Sequence, residues 1–197
     1  MDEMKIACAV TGHRPSRFKF KYDEEDGLCK RIKKQMQLQF LTLLRNGVTR
    51  FYVGGAEGVD MWAAELLLQM KNEKEFEQLE LITVISFKGY DSKWKDGNTK
   101  SRMQAILKDC DEIEYMDNLP LTAGEYYIKR NYYMVDHSKY LLAVYDNSKK
   151  MARSGTMQTV NYAIKKGLTV IFINPETAEA TVQEGGRYGK GIKKYRL

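Results

Sequence analysis

Short β-branched apolar runs alternate with amphipathic helical stripes along most of this chain, and few architectures satisfy that order. Residues 6–10, 50–53, 81–86, 112–115, 140–145 and 169–173 read as strands. Between the first two, Leu28, Ile32, Met36, Phe40, Leu43 and Leu44 recur three or four apart, the spacing of a helix with one buried face. That helix stops at Asn46-Gly47, where a glycine can take the left-handed turn that ends helices. Val59, Trp62, Ala63, Leu66, Leu67 and Met70 repeat the stripe, and further helices are expected over residues 99–108, 125–137 and 155–166. Strand and helix in strict succession predict an α/β fold, a mainly parallel sheet flanked by helices on both faces. One domain is expected over residues 1–184, followed by a flexible, basic, glycine-rich tail at 185–197. Two aperiodic loops, 87–98 and 117–124, are of the length that often serves binding.

Composition narrows the function classes. Hydrophobic residues make up 43% and charged residues 29%, enough to close a core and to set disorder aside. The longest apolar runs fall far short of the roughly 20 residues of a membrane helix. The amino terminus enters a strand directly without the pattern of a secretory leader, so the cytoplasm is the expected location and no membrane partner is expected. Cys8, Cys29 and Cys110 form no close pair, which argues against a disulfide framework or a Cys-x-x-Cys site. His13 and His137 have no ligand-spaced neighbours, so no metal is expected. The net charge is +6, but Arg187, Lys190, Lys193, Lys194 and Arg196 all follow Gly186, and subtracting those five leaves +1. A nearly neutral body argues against nucleic acid as a partner.

Four motifs carry candidate chemistry. Val53-Gly54-Gly55-Ala56-Glu57-Gly58-Val59-Asp60 leaves a strand and enters a helix, where glycines allow close approach and free amides suit a phosphate or carboxylate. The plain alternative is a glycine turn required by packing; neither the dinucleotide fingerprint nor a Walker loop is present. Arg153-Ser154-Gly155-Thr156 forms a second such junction, in which Ser154 or Thr156 either holds ligand or caps the helix. Thr11-Gly12-His13-Arg14-Pro15 ends the first strand at the expected ligand edge of the sheet. There Arg14 can fork onto an anion, and His13 can donate a hydrogen bond, act as acid or base, or cap a carbonyl. In the fourth motif Ile128, Tyr132 and Val135 share one helical face and leave Arg130 and Asn131 on another, aimed at the cleft, with Asp136 a candidate acceptor for backbone amides. The loop containing Phe87, Lys88, Tyr90, Lys93 and Trp94 could stack on a base, or Trp94 could anchor it to the body.

In order and spacing, Thr11-Gly12-His13-Arg14-Pro15, Gly54 to Asp60 with Trp62-Ala63-Ala64-Glu65, Arg130-Asn131 with Met134-Val135-Asp136, and Ser154-Gly155-Thr156 resemble the YpsA-like family of the SLOG superfamily. The resemblance runs from about residue 5 to 175. It implies a Rossmann-like domain with a pocket for nucleotides or derivatives such as NAD or ADP-ribose. The superfamily also contains the DNA-processing DprA proteins and the LOG phosphoribohydrolases. LOG enzymes carry Pro-Gly-Gly-x-Gly-Thr-x-x-Glu, whose glutamate assists cleavage of an N-glycosidic bond; Thr159 stands at that position here. A neutral hydroxyl does not replace a carboxylate in that chemistry.

The sequence therefore points to a nucleotide-ligand binding protein, a sensor or regulator, with no obligatory cofactor. Its expected ligand contacts are Thr11, Gly12, His13, Arg14, Gly54, Gly55, Ala56, Gly58, Asp60, Arg130, Asn131, Ser154, Gly155 and Thr156. The first alternative is a phosphoribohydrolase or nucleosidase using His13, Glu57 or Asp60. The second is a ligand-regulated interaction protein or a sponge for a nucleotide signal, which leaves a protein partner and self-association open.

Overall fold

The computed structural model describes residues 5–92, 94, 97–117, 120–147, 154–186 and 192–194. The sheet is built from β1 (Ile6–Gly12), β2 (Val48–Val53), β3 (Glu80–Ile85), β4 (Glu112–Tyr115), β5 (Tyr140–Val144), β6 (Thr169–Ile173), β7 (Ala180–Gln183) and β8 (Ile192–Lys194). Their order across the sheet is β4-β3-β2-β1-β5-β6-β7-β8. All pairs through β6 are parallel, whereas β7 and β8 run antiparallel at one edge. The helices are α1 (Gly27–Arg45), α2 (Val59–Lys71), α3 (Gly97–Asp109), α4 (Ala123–Asp136) and α5 (Gly155–Lys166). This is the α/β, Rossmann-like arrangement that the alternating pattern predicts. The sequence pattern did not give β7 and β8; residues 192–194, in the stretch expected to form a tail, pair with β7.

Period-two alternation divides the core into two layers. Cys8, Val10, Phe51, Val53, Leu142 and Val144 pack on one face against Ile32, Met36 and Phe40 of α1 and Trp62, Ala63 and Leu67 of α2. Ala7, Ala9, Tyr52, Ile82, Leu141 and Ala143 turn to the other face, against Met134 and Val135 of α4 and Val160 and Ala163 of α5. The inward face of α4 is Arg130, Asn131, Met134 and Val135, one helical turn apart in pairs. Ile128 is instead exposed and Tyr132 only half-buried, which corrects the face expected from hydrophobicity. Arg130 is held inside by the Gly54 carbonyl and Asp60, and Asn131 lies beside it.

The chain runs from β1 outward through β2, β3 and β4, then returns to β5 on the other side of β1. That reversal opens a crevice at the carboxyl ends of β1 and β5, the general ligand position of open α/β sheets. The segment leaving β1 is fastened there by Glu24, which accepts hydrogen bonds from Trp62 Nε1 at 2.8 Å, Arg102 Nη1 at 2.8 Å and Lys33. Arg102 also forks onto Glu65, at 2.6 and 2.7 Å. One carboxylate thus ties the segment to α1, α2 and α3. Burial pushes the Glu24 carboxyl up, but hydrogen bonds from Arg102, Lys33 and Trp62 outweigh it and hold the group at about 2, against an ordinary 4.5. Because the folded value is the depressed one, its stabilisation is complete above about pH 4.5 and lost as pH falls through about 2. Glu24→Gln should therefore lower Tm at pH 7 and flatten the acid limb; a variant whose Tm falls as steeply as the parent's between pH 5 and 2 would assign that limb to other groups.

Candidate functional site

A cavity of about 430 Å³ occupies the crevice. The β1 end contributes Thr11, Gly12, His13 and Arg14, and the 3₁₀ turn at Pro15–Arg17 adds Ser16 and Arg17. Ala56 and Asp60 come from the start of α2, Tyr127, Arg130 and Asn131 from α4, and Ser154, Gly155 and Thr156 from the start of α5. Eleven of the residues expected from sequence are brought together here. Arg153 lies outside the described residues.

Gly54, Gly55 and Gly58, expected as anion-binding glycines, do not line the cavity, and each has another reason to lack a side chain. A Cβ on Gly54 would overlap the Arg130 guanidinium and lie 2.6 Å from an Asp60 oxygen. Gly55 (φ +65°) is turned toward Ile85 and Met103, away from the crevice. Gly58 (φ +86°) lets the His13 carbonyl and Pro15 close onto the start of α2. Of this loop only Ala56 and, through its side chain, Asp60 face the ligand space.

Arg130 organises the floor. Its Nη1 donates to the Gly54 carbonyl and lies 3.5 Å from Asp60 Oδ2, and both side chains are more than nine-tenths buried. Asp60 also accepts from the Ala56 N–H at 3.3 Å. Burial pushes the Asp60 carboxyl up, opposed first by Arg130 and then by the Ala56 amide; burial likewise lowers the proton affinity of Arg130, against the pull of Asp60. Arg130 keeps its charge, since a guanidinium does not surrender its proton inside a protein, while for Asp60 burial outweighs its partners and the net shift is upward. The Tyr127 ring lies 5.9 Å from both the Arg14 and the Arg130 guanidinium carbons. Arg14 and Arg17 are exposed at the mouth and form no ion pair with a described residue.

The remaining walls are set by local bonding. Ser154 Oγ accepts from Met157 N at 3.1 Å, so it caps α5 while lining the cavity, and Thr156 Oγ1 donates to the Gly12 carbonyl at 2.9 Å. Thr156 thereby joins the start of α5 to the end of β1. His13 is 3% exposed, and neither ring nitrogen has a hydrogen-bond partner among the described residues. Burial, then the charge of Arg17, lowers its pKa to about 4.

Other candidates fall elsewhere. Thr159 is fully buried and donates to the Gly155 carbonyl at 2.9 Å, so it neither reaches the cavity nor offers a free hydroxyl. Glu57 is half-buried outside the lining. Asp136 accepts from Tyr162 Oη at 3.0 Å and pairs with Lys166 at 2.7 Å, side-chain partners in place of the expected backbone amides. In the 87–98 loop Phe87 packs on Tyr126 and Tyr127, and Trp94 meets Tyr90 edge-on at 5.6 Å while packing on the core. These rings anchor the loop, and Lys93 lies outside the described residues. Ser16, Arg17 and Tyr127 were missed, although the sequence holds a signal for two of them. A proline-started 3₁₀ turn places Arg14 and Arg17 on one side, and Tyr127 precedes Arg130 by three residues on a helix.

Among the described residues no helix is long and apolar enough to cross a membrane, and no cluster of His, Cys, Asp and Glu is placed to hold a metal. The YpsA family model, described as the YspA SLOG family, matches residues 8–178. A UPF0398 protein of Bacillus cereus strain B4264 is 31% identical over 147 residues, 74% of this chain and 77% of that protein. Among solved structures, DNA processing protein A (DprA) of Streptococcus pneumoniae superposes with a TM-score of 0.53 at 20% identity, over 86% of this chain and 50% of that one. DNA processing protein A of Helicobacter pylori gives 0.54 at 18%, over 86% of this chain and 65% of that one, in a structure that concerns its single-stranded DNA binding mode. This chain thus spans half to two thirds of those neighbours. A fold of this shape is compatible with DNA, so a near-neutral body does not by itself argue against a nucleic-acid partner.

Proposed function

The chain belongs to the YspA SLOG family, and on that premise we propose that it binds a phosphorylated, nucleotide-derived ligand of the NAD or ADP-ribose kind in the crevice between β1 and β5. One observation carries this reading. Three guanidinium groups, Arg14, Arg17 and Arg130, converge with the amino end of α5 on one cavity where Asp60, the single lining carboxylate among the described residues, is already engaged by Arg130. Such a surplus of donors and positive potential suits a phosphate or pyrophosphate group.

Binding without turnover is the form this chemistry favours. Asp60, the candidate carboxylate within the lining, is already engaged by a buried arginine and the Ala56 amide, and Thr159 is sealed inside α5. The protein then acts as a sensor, or as a sponge for a nucleotide signal. Calorimetry with NAD, ADP-ribose, AMP, ribose 5-phosphate and phosphate should give stoichiometric binding by at least one organic phosphate. At a hundredfold excess over Kd such a ligand contributes about 2.7 kcal/mol and should raise Tm by about 5 to 10 °C. Silence from the whole panel in both assays would refute the proposal. Release of free base from NAD or a nucleoside monophosphate, abolished by Asp60→Asn, would favour the N-glycosidase reading instead. Salt-sensitive retention of single-stranded DNA without response to mononucleotides would favour the binding mode of the Helicobacter pylori neighbour.

A further inference from the structure

Resting on that functional reading and refining it, we infer that the crevice takes up a proton together with its anion, and that Asp60 is the residue that receives it. As a neutral carboxyl, Asp60 donates a hydrogen bond to the bound phosphate and leaves the charge of Arg130 to the ligand.

The floor of the crevice carries no net charge before a ligand arrives. Arg130 and Asp60 are both more than nine-tenths buried, lie 3.5 Å apart and line the same cavity. Arg14 and Arg17 stand exposed at the mouth, where solvent and salt weaken their pull on anything deeper. An anion that reaches the floor therefore shares one guanidinium with a carboxylate and adds a second negative charge to an enclosed space. Two such charges side by side raise the proton affinity of one of them, and a phosphodiester is too weak a base to be that one. Protonation of the carboxylate restores the balance that the anion upsets.

The groups around Asp60 leave it as the acceptor. Arg130 faces it from α4, Arg14 from the end of β1 and Tyr90 from the loop after β3, while the Gly54 and Ala56 amides approach from its own loop. The start of α5 brings only the uncharged Ser154, Gly155 and Thr156. Arginine is already protonated, and a phenol has no further proton to accept. His13 is the other group of the lining able to take one, but both its nitrogens are buried without a partner among the described residues, and burial and then Arg17 oppose a charge there. Asp60 is disposed the other way, because burial raises its proton affinity more than its partners lower it. The Ala56 N–H and Arg130 both engage Oδ2, so the proton belongs on Oδ1.

Calorimetry of the parent with ADP-ribose tests this, since its phosphates are diesters and lack the ionisation that a monoester undergoes near about pH 6. Measured at about pH 6 in two buffers of different ionisation enthalpy, the heats should reveal uptake of a large fraction of one proton. Affinity should rise about tenfold or more from about pH 8 to about pH 5, because proton uptake and binding are linked. If another ester of the panel binds in place of ADP-ribose, its own ionisation is subtracted. Asp60→Asn, permanently neutral and still a donor, should bind without proton exchange and with a flat pH profile, at least as tightly as the parent at about pH 8. His13→Gln should keep the parent's uptake. Infrared difference spectra of the parent give a readout independent of any variant, for ligand should bring up the C=O stretch of a protonated carboxyl. Binding with buffer-independent heats and no such band would overturn the proton uptake while leaving anion binding intact. Uptake that survives in Asp60→Asn would place the proton elsewhere and overturn the role of Asp60. Binding of no organic phosphate at all would instead remove the functional reading beneath it.

Discussion

Replacing Asp60 by alanine is expected to lower the unfolding free energy by about 3 kcal/mol or more, the largest loss from any single polar substitution in the site. The reason is the partner left behind. Arg130 is 7% exposed, with its Nη1 on the Gly54 carbonyl and its Nε already without a partner. Removing the carboxylate strands a full positive charge in that position. It also frees the Ala56 N–H and lets the loop before α2 relax. Asp60→Asn keeps the shape and both hydrogen-bond acceptor roles at one oxygen, so its loss should be about half as large. The double variant Asp60→Ala with Arg130→Met removes both charges and should recover most of the stability, because a buried ion pair replaced by apolar groups is often neutral. Urea denaturation of the three variants measures this directly. A loss below about 1 kcal/mol for Asp60→Ala would mean that solvent reaches Arg130 and that the pair is a surface interaction.

That pair also shows where sequence reading ends. The strands and helices were legible because burial imposes a period of two or of 3.6 on apolar residues, and the stripe in α1 is regular enough to locate its face. The same rule misplaced the face of α4, where Ile128 and Tyr132 are apolar but Arg130 and Asn131 are the buried residues. Hydropathy cannot register a charge whose partner, Asp60, arrives from a helix far away in sequence. β7 was missed for the opposite reason: Ala180–Gln183 is only half-buried at a sheet edge and has neither an apolar run nor a clean alternation. At the site, Thr11 to Arg14 and Ser154 to Thr156 were found because strand order alone carries them to one edge of the sheet. The glycines of the second loop were found as a motif but not as individuals. Nothing in the string Gly54-Gly55-Ala56-Glu57-Gly58 says that one glycine admits an arginine, one turns to the core and one seats a proline.

The second large effect concerns the mouth of the crevice. Arg14→Ala combined with Arg17→Ala should weaken binding of ADP-ribose, or whichever phosphate ester of the panel binds, by about a hundredfold or more, since each charge-assisted hydrogen bond to a phosphate contributes about 1.5 to 3 kcal/mol. Stability should hardly change, because both side chains are exposed and neither is paired with a described residue. Arg14 shares the Tyr127 ring with Arg130 and raises the positive potential around it, so removing Arg14 relieves repulsion on the buried guanidinium. Arg14→Lys keeps the charge and loses the planar fork, and should fall between parent and alanine variant if the anion is held through two oxygens. Lys139 precedes β5 at the opposite end of the sheet and provides the control: Lys139→Ala makes the same change in net charge as either single arginine-to-alanine substitution and should leave affinity untouched. Rising salt should weaken the parent more than the double variant, because the long-range attraction it screens has been removed from the latter. Parent-like affinity in the double variant, with a normal Tm, would show that the anion does not meet this wall and that Arg130 and the amino end of α5 hold it alone.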